Sequence, residues 1–153
     1  MNLVITRAAH DTLNARAPLF DAYRQGYAQA SNLRQPRRLF TPSPDPDSDS
    51  GPDDSSILPA HNASYAAGFT QLHPLWNSVD MVWIRPLKDR HVMPTARRHG
   101  VADALLKADR ERGQHSSAQR LAPETDPHNH PLQRPYQGHG WQRQSYLWYG
   151  LMP

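Results

Sequence analysis

The residues with the clearest chemical potential form one short run, Arg97-Arg98-His99-Gly100-Val101-Ala102. It follows an apolar stretch ending at Pro94 and precedes an amphipathic segment, which is typical of a loop between a strand and a helix. The first N–H groups of a helix lack intrahelical partners, and the helix dipole makes that end positive. Glycine lets the backbone approach a ligand closely. The run therefore predicts a phosphate-binding loop, although alone it also fits an ordinary helix start with basic surface residues.

The spacing Arg-x-x-Gly-x-Ala resembles the acetyl-coenzyme A signature of the GCN5-related N-acetyltransferases (GNAT), Gln/Arg-x-x-Gly-x-Gly/Ala. Residues 68–74 (GFTQLHP) resemble the third strand of that family, and residues 89–94 (DRHVMP) resemble its Asp-Leu-Phe/Tyr-Val-x-Pro segment. The spacing of the family's C-terminal motif is matched by Thr125, Asn129, Tyr136 and Gly140-Trp141. The resemblance covers residues 2–151 and is strongest from 68 to 151. It implies that residues 97–102 bind acetyl-CoA as a co-substrate.

The resemblance also implies roles for four residues outside the loop. The backbone N–H of Val92 would hydrogen-bond the thioester oxygen, and Asp89 would deprotonate the incoming ammonium directly or through water. Tyr136 would protonate the leaving thiolate, and Asn129 would hydrogen-bond the pantetheine arm. Each side chain has a structural alternative: Asp89 as a structural carboxylate, Tyr136 as a packed aromatic, and Asn129 as a helix N-cap.

The acceptor pocket is expected beside the first helix, where Tyr23 and Tyr27 lie one turn apart. In the resembled family this region borders the acceptor, and Phe69 and Gln71 would line it too. The alternative is a core stripe for at least one of the tyrosines. The pair His128 and His130 could share a metal, but no third ligand is evident, so no metal is expected.

Hydrophobic periodicity predicts the elements that position these residues. Strands are expected at residues 3–5, 56–58, 67–72, from 79–84 to about 92, 119–125 and 141–151. Helices are expected from Leu13 to Tyr27, at 33–40, from Gly100 to Arg112 with Gly113 as a stop, and at 129–139. The alternation predicts an α/β fold, mixed α+β. The resemblance implies a mostly antiparallel central sheet, splayed in its middle and flanked by helices.

Composition limits the remaining choices. A chain of 153 residues fits one domain, and the absence of cysteine excludes thiolate catalysis and a zinc–thiolate site. Residues 42–56 hold five aspartates and no apolar residue, which predicts a mobile acidic loop. No apolar run is long enough to span a bilayer, and the N-terminus does not fit a signal peptide, so a cytoplasmic protein is expected. No aromatic-basic interleaving points to nucleic acid.

Several residues depart from the family pattern. Pro86, Pro123 and Pro135 fall inside predicted strands or a helix, while Arg90 and His91 occupy positions that are usually apolar or aromatic in the family. A divergent member with bulged strands, a non-catalytic member, or errors in the sequence would each produce this pattern.

The sequence thus predicts one acetyl-CoA-dependent N-acetyltransferase domain over residues 1–153. An acetyl group would move to a primary amine of a small molecule or peptide by direct attack, since no cysteine is present to form an acyl-enzyme. The alternative is a non-catalytic binding or regulatory module of the same fold. Dimers are frequent in the resembled family, so the resemblance implies a homodimer.

Overall fold

The computed structural model describes residues 2–6, 13–31, 56–62, 65–73, 75–115, 120–123, 125 and 128–143. The strands are β1 (Val4–Ile5), β2 (Ser56–His61), β3 (Ala66–Leu72), β4 (Leu75–Asn77), β5 (Val82–Val92) and β6 (Arg120–Pro123). The helices are α1 (Leu13–Gln25), α2 (Val101–His115) and α3 (His130–Gly138). A single 3-10 turn, Pro94–Ala96, connects β5 to α2.

The strands form one sheet in the order β1-β2-β3-β5-β4, and β6 pairs with β5 outside this path. Every described pairing is antiparallel except that of β5 with β6, which is parallel. A turn that includes Asn62 joins β2 to β3, and the Asn62 side-chain oxygen accepts the Tyr65 N–H at 2.8 Å. The predicted mixed α/β fold with a mostly antiparallel sheet is therefore confirmed.

Helices α1 and α2 pack on opposite faces of the sheet. Phe69 contacts Leu19 and Phe20 of α1, whereas its neighbour Thr70 hydrogen-bonds Asp109 of α2 at 3.0 Å. Successive residues of a strand point to opposite faces, so the two helices must lie on different sides. The α2 side also holds the buried cluster of Leu72, Leu87, Leu106 and Tyr136, which connects α3 to the sheet.

The prediction that Gly113 ends the helix that begins near Gly100 is wrong, because α2 continues to His115. The reason for glycine here is packing against β6. A Cβ added at Gly113 would lie 3.0–3.2 Å from three side-chain carbons of Leu121, so even alanine would crowd that side chain.

The predicted start of the long strand is also too early. Residues 75–77 form β4, and β5 begins only at Val82 after a turn. Asn77 organises this turn, since its side-chain oxygen accepts the N–H of Val79 at 3.0 Å. Met81 takes a left-handed conformation, with φ at 55°. The turn joins β4 and β5 into a hairpin, and the sequence pattern predicted no strand at residues 75–77.

Two prolines that break the sequence pattern are accommodated locally. Pro86 lies beyond the paired end of β3 at Leu72, and its carbonyl accepts the His73 N–H at 3.1 Å. The pairing of β3 with β5 also shifts register next to Pro86, between Gln71 and Leu72. Pro135 lies inside α3, which continues beyond it to Gly138.

Other predictions fall on parts of the chain outside the described residues. These are the helix at 33–40, most of the acidic loop, of which only Ser56 is described, and residues 144–151 of the last strand. Ser56 belongs to β2, and residues 141–143 are not part of a strand. None of the helices in the described ranges has the length and apolarity needed to cross a membrane.

Gly68 lies tightly against β5 and provides a stability test. A Cβ at this position would lie 2.5 Å from the His91 carbonyl oxygen and 3.3 Å from the Val92 Cα. Both are backbone atoms, so Gly68→Ala must push the strands apart, and we expect a loss of roughly 1–3 kcal/mol in the free energy of unfolding. Thermal melting followed by circular dichroism measures it.

Gly138→Ala is the matched control, because an added Cβ there meets no atom within 4 Å. Its melting temperature should equal or slightly exceed that of the parent, as alanine favours helix. Equal melting temperatures for the two variants would contradict the tight β3–β5 approach.

Candidate active site

The site begins where β6 leaves β5. The two strands pair only from Ile84 to Leu87 on β5, and no described residue pairs with that edge of β5 beyond Leu87. The Met93 N–H donates to the Ala67 carbonyl at 2.9 Å, on the β3 side. Because backbone groups alternate along a strand, the N–H of Val92 points to the opposite, open edge. This edge offers hydrogen-bonding backbone groups to a ligand.

The loop after β5 turns sharply into α2. Arg98 and Gly100 have positive φ angles of 64° and 75°, and the Arg97 Nε donates to the Val92 carbonyl at 3.3 Å. The first helical bond runs from the Ala104 N–H to the Gly100 carbonyl at 3.0 Å. The preceding N–H groups of the helix therefore have no intrahelical acceptor, and they form a positive helix end.

A groove of about 880 Å³ joins the open edge of β5 to this loop. It brings together seven of the eight predicted cofactor-binding residues, Val92, Arg97, Arg98, Gly100, Val101, Ala102 and Asn129, along with Tyr23 and Tyr27. His99, Asp89, Phe69, Gln71 and Tyr136 are not among its lining residues. The His99 Nδ1 instead lies 2.8 Å from the Arg97 carbonyl oxygen, within the loop.

An added Cβ at Gly100 would meet no protein atom within 4 Å, although Gly100 lines the groove. A side chain here would therefore occupy open space beside the helix N-terminus. This arrangement fits a phosphate group held against the backbone.

Tyr23 lines the groove and contacts four aromatic rings. Its ring centroid is 5.5 Å from those of Phe20 and Phe69, 5.2 Å from that of Tyr27 and 5.9 Å from that of His91. Its hydroxyl donates to Asp89 Oδ1 at 2.5 Å. Burial, aided by the Asp89 hydrogen bond, raises the pKa of the Tyr23 phenol above its ordinary value. The hydroxyl therefore stays protonated and holds the Asp89 carboxylate.

The two other predicted acceptor residues lie deeper. Phe69 and Gln71 are buried, and the Gln71 Oε1 atom has no hydrogen-bond partner among the described residues. Tyr27, by contrast, is 66 % exposed. Tyr23 packs against the α1 core cluster while lining the groove, so the core and pocket interpretations both describe it.

Tyr136 lies in the core beside the groove, next to the groove-lining residue Pro135. The Arg90 guanidinium carbon lies 4.4 Å from the centre of the Tyr136 ring, and Trp141 packs edge-on at 5.9 Å. Burial raises the pKa of the Tyr136 phenol, although the charge of Arg90 opposes this shift. The hydroxyl is therefore a proton donor rather than an acceptor at neutral pH.

Arg90 and His91 are among the groove residues that sequence reasoning did not assign to the site. Burial, together with the charge of Arg97, lowers the pKa of His91 to about 4, so its imidazole is neutral. Its Nε2 atom is buried and has no hydrogen-bond partner among the described residues. Strand alternation contained the signal, since it places residue 90 on the face of Val92 and residue 91 on the opposite face.

Asp109 completes a polar cluster on the α2 side. Its Oδ2 accepts a hydrogen bond from the Thr70 hydroxyl, and its Oδ1 has no partner among the described residues. Burial raises the pKa of Asp109 to about 7, against the opposing effects of Thr70 and Arg90. In the described ranges no cluster of three or more His, Asp or Glu residues is placed to hold a metal ion.

Comparison with known proteins agrees with this architecture. The model of the "Acetyltransferase (GNAT) family" matches residues 19–141. The uncharacterized N-acetyltransferase YhfO of Bacillus subtilis (strain 168) is 33% identical over 138 residues, which are 90% of this chain and 89% of YhfO. A crystal structure of a probable acetyltransferase has a TM-score of 0.81 at 27% identity, covering 100% of this chain and 98% of that one.

A more distant structure shares the fold. The aminoglycoside N-acetyltransferase AAC(6')-Iy, in complex with CoA, has a TM-score of 0.77 at 19% identity. The alignment covers 99% of this chain and 95% of that one.

The buried Asp109 carboxyl predicts a distinctive dependence of stability on pH. Its folded pKa of about 7 exceeds the ordinary 3.8, so between these values the unfolded chain releases a proton that the folded protein keeps. The free energy of unfolding therefore falls as pH rises from about 4 to 7. Asp109→Asn removes this contribution, and we expect it to be more stable than the parent above pH 7, by roughly 4 kcal/mol at most.

Urea titrations at about pH 4.5 and pH 8 measure the difference. The control is Glu111→Gln, whose exposed side chain pairs with Lys107 at 3.9 Å and should change stability little at either pH. A parent whose stability follows the same pH curve as Asp109→Asn would contradict the raised pKa.

Proposed function

The chain belongs to the GNAT family of acetyltransferases, and we propose that it moves an acetyl group from acetyl-CoA to a primary amine by direct attack on the thioester. The observation that carries this proposal is the groove between the open edge of β5 and the N-terminus of α2. One end presents a backbone N–H, and the other presents a helix end flanked by arginines. These are the two features that an acyl donor with a pyrophosphate requires.

The residues at the helix end fit the phosphates of acetyl-CoA. Gly100 leaves open space beside the backbone, and Arg97 and Arg98 provide positive charge along the same wall. The CoA complex of AAC(6')-Iy supports the choice of ligand, because that protein shares the fold. Asn129 lines the same groove near the start of α3, where its amide would hydrogen-bond the pantetheine arm.

Acetyl-CoA, when bound, supplies an acetyl thioester. The Val92 N–H at the open edge would donate to the thioester oxygen as negative charge develops there. Asp89, held by the Tyr23 hydroxyl, would take the proton that the amine must lose, directly or through water. The Tyr136 hydroxyl would protonate the departing sulfur. No cysteine is present to form an acyl-enzyme, so direct attack is the simplest route.

The acceptor would enter beside Tyr23, Tyr27 and His91. The neutral His91 imidazole has a free nitrogen that can accept a hydrogen bond from an amine N–H. We propose a small-molecule or peptide amine as the acceptor. A homodimer and a cytoplasmic location remain predictions from the sequence.

Gly100→Glu tests the cofactor site. The new side chain would fill the open space at the helix end and repel phosphate, so acetyl-CoA should no longer raise the melting temperature of the variant. Gly140→Glu is a closely matched control, because Gly140 has a φ of 77°, has no atom near an added Cβ, and does not line the groove. It carries the same backbone strain and the same charge change. An equal ligand-induced shift in both variants would contradict the assignment of this loop.

Tyr136→Phe tests the acid step. Loss of the hydroxyl should lower kcat by roughly 10²–10⁴-fold, while the affinity for acetyl-CoA should barely change. Thiol release measured with a panel of amines gives kcat, and calorimetry gives the affinity. Unchanged turnover would remove Tyr136 from the mechanism. A parent that binds acetyl-CoA but acetylates no amine would favour the non-catalytic module.

A further inference from the structure

Arg90 occupies an unusual place for a charged side chain. It lies on β5 two residues before Val92, on the face of the sheet that α2 covers, and it lines the groove. Its guanidinium stacks over the Tyr136 ring at 4.4 Å. Such contacts between a cation and an aromatic ring are strongest where water is excluded.

Within the described part of the chain, no hydrogen bond explains the position of the two terminal guanidinium nitrogens. Both terminal nitrogens, Nη1 and Nη2, are buried and lack an acceptor among the described residues. Asp109 is the nearby buried acid, but its free oxygen also lacks a partner, and no close ion pair joins the two within the described ranges. A buried charge without a paired acid lowers stability, so packing alone does not account for Arg90.

We propose that Arg90 is a positioning residue for the acid step: it holds the Tyr136 ring, and its charge stabilises the phenolate that forms when Tyr136 protonates the leaving sulfur. This inference rests on the proposed function.

The proton and electron balance is complete without a further reactant. The ammonium first gives one proton to Asp89, directly or through water, and becomes the amine. The amine nitrogen then forms a bond to the acyl carbon and loses a second proton to water. The carbon–sulfur bond breaks with its electron pair on sulfur, and the Tyr136 O–H bond breaks as the S–H bond forms. The phenolate then regains the proton through solvent. Arg90 acts during the interval in which Tyr136 is negative.

Charged and titratable groups reach Tyr136 from three elements. Arg90 approaches from β5, Asp109 from α2, and Tyr27 from the chain just after α1. Burial and the two acidic groups raise the pKa of the phenol, whereas Arg90 lowers it. Removing the guanidinium therefore makes proton release harder.

The first experiment is a double-mutant cycle between Arg90 and Tyr136. We expect Arg90→Met to lower kcat roughly tenfold, with KM for acetyl-CoA within about twofold of the parent. In the Tyr136→Phe background the same change should have less than about a twofold effect, because no phenolate forms. Lys107→Met removes an exposed cation from α2 and is the control, with kcat unchanged.

The second experiment needs no turnover. Ultraviolet titration follows tyrosinate formation, and subtraction of the Tyr136→Phe curve isolates Tyr136 from the other tyrosines. The pKa of Tyr136 should be higher in Arg90→Met than in the parent and unchanged in Lys107→Met. Circular dichroism identifies folded variants. If Arg90→Met does not fold, Arg90→Gln repeats the test, and Arg90→Lys should retain much of the effect because it keeps the charge.

The outcomes separate the two proposals. An equal pKa of Tyr136 with and without the Arg90 charge, or kcat losses that add fully in the double mutant, would overturn the role of Arg90 and leave acetyl transfer intact. Absence of acetyl transfer in the parent would overturn the proposed function itself.

Discussion

The early separation of β6 from β5 is the constraint on which the site depends. Among the described residues, parallel pairing stops at Leu87, yet β5 continues to Val92 with its other edge held by β3. An open strand edge presents unpaired N–H and C=O groups, which must be satisfied by solvent or by a ligand. The loop and the N-terminus of α2 follow directly from the end of that edge. One interruption of pairing therefore creates the groove and orients it from the edge of β5 toward the N-terminus of α2.

The alternation of β5 distributes the chemistry over the two faces of the sheet. Asp89 and His91 face α1, where Tyr23 contacts both of them. Arg90 lies on the other face, with Tyr136 and Asp109. Within the proposed mechanism, the acceptor is handled on the α1 side and the leaving group on the α2 side. Four consecutive residues of one strand, 89–92, thus supply groups to both halves of the reaction.

The parts of the fold that local rules determine were predictable from the sequence. The loop after β5 follows from a strand end, a glycine and a helix start, and the β2–β3 hairpin follows from two apolar runs around Asn62. Gly113 was misread because glycine commonly ends a helix, whereas here it makes room for Leu121 of a strand that follows in the chain. That reason is a tertiary contact, which local sequence rules do not contain.

The candidate site shows the same division. Seven of the predicted cofactor residues line the groove because they are close in sequence or follow the resembled motif. Arg90 was noted only as a departure from that motif. Its significance depends on Tyr136, which lies 46 positions later and reaches it only through the packing of α3. Spacing along one strand predicts which face a residue occupies but not which side chain it meets there.

The polar cluster beside Tyr136 lowers the stability of an otherwise apolar layer. Thr70, Arg90 and Asp109 lie next to a core of three leucines, and the pairing of their polar atoms is incomplete within the described part of the chain. As pH rises through about 7, Asp109 becomes charged and begins to offset the charge of Arg90. The same rise in pH converts more of an ammonium acceptor to the reactive amine. If Arg90 stabilises the Tyr136 phenolate, a rise in pH favours attack by the amine but weakens protonation of the leaving sulfur. The pKa of the buried Asp109 carboxyl in α2 then sets the upper end of the pH range in which both steps proceed.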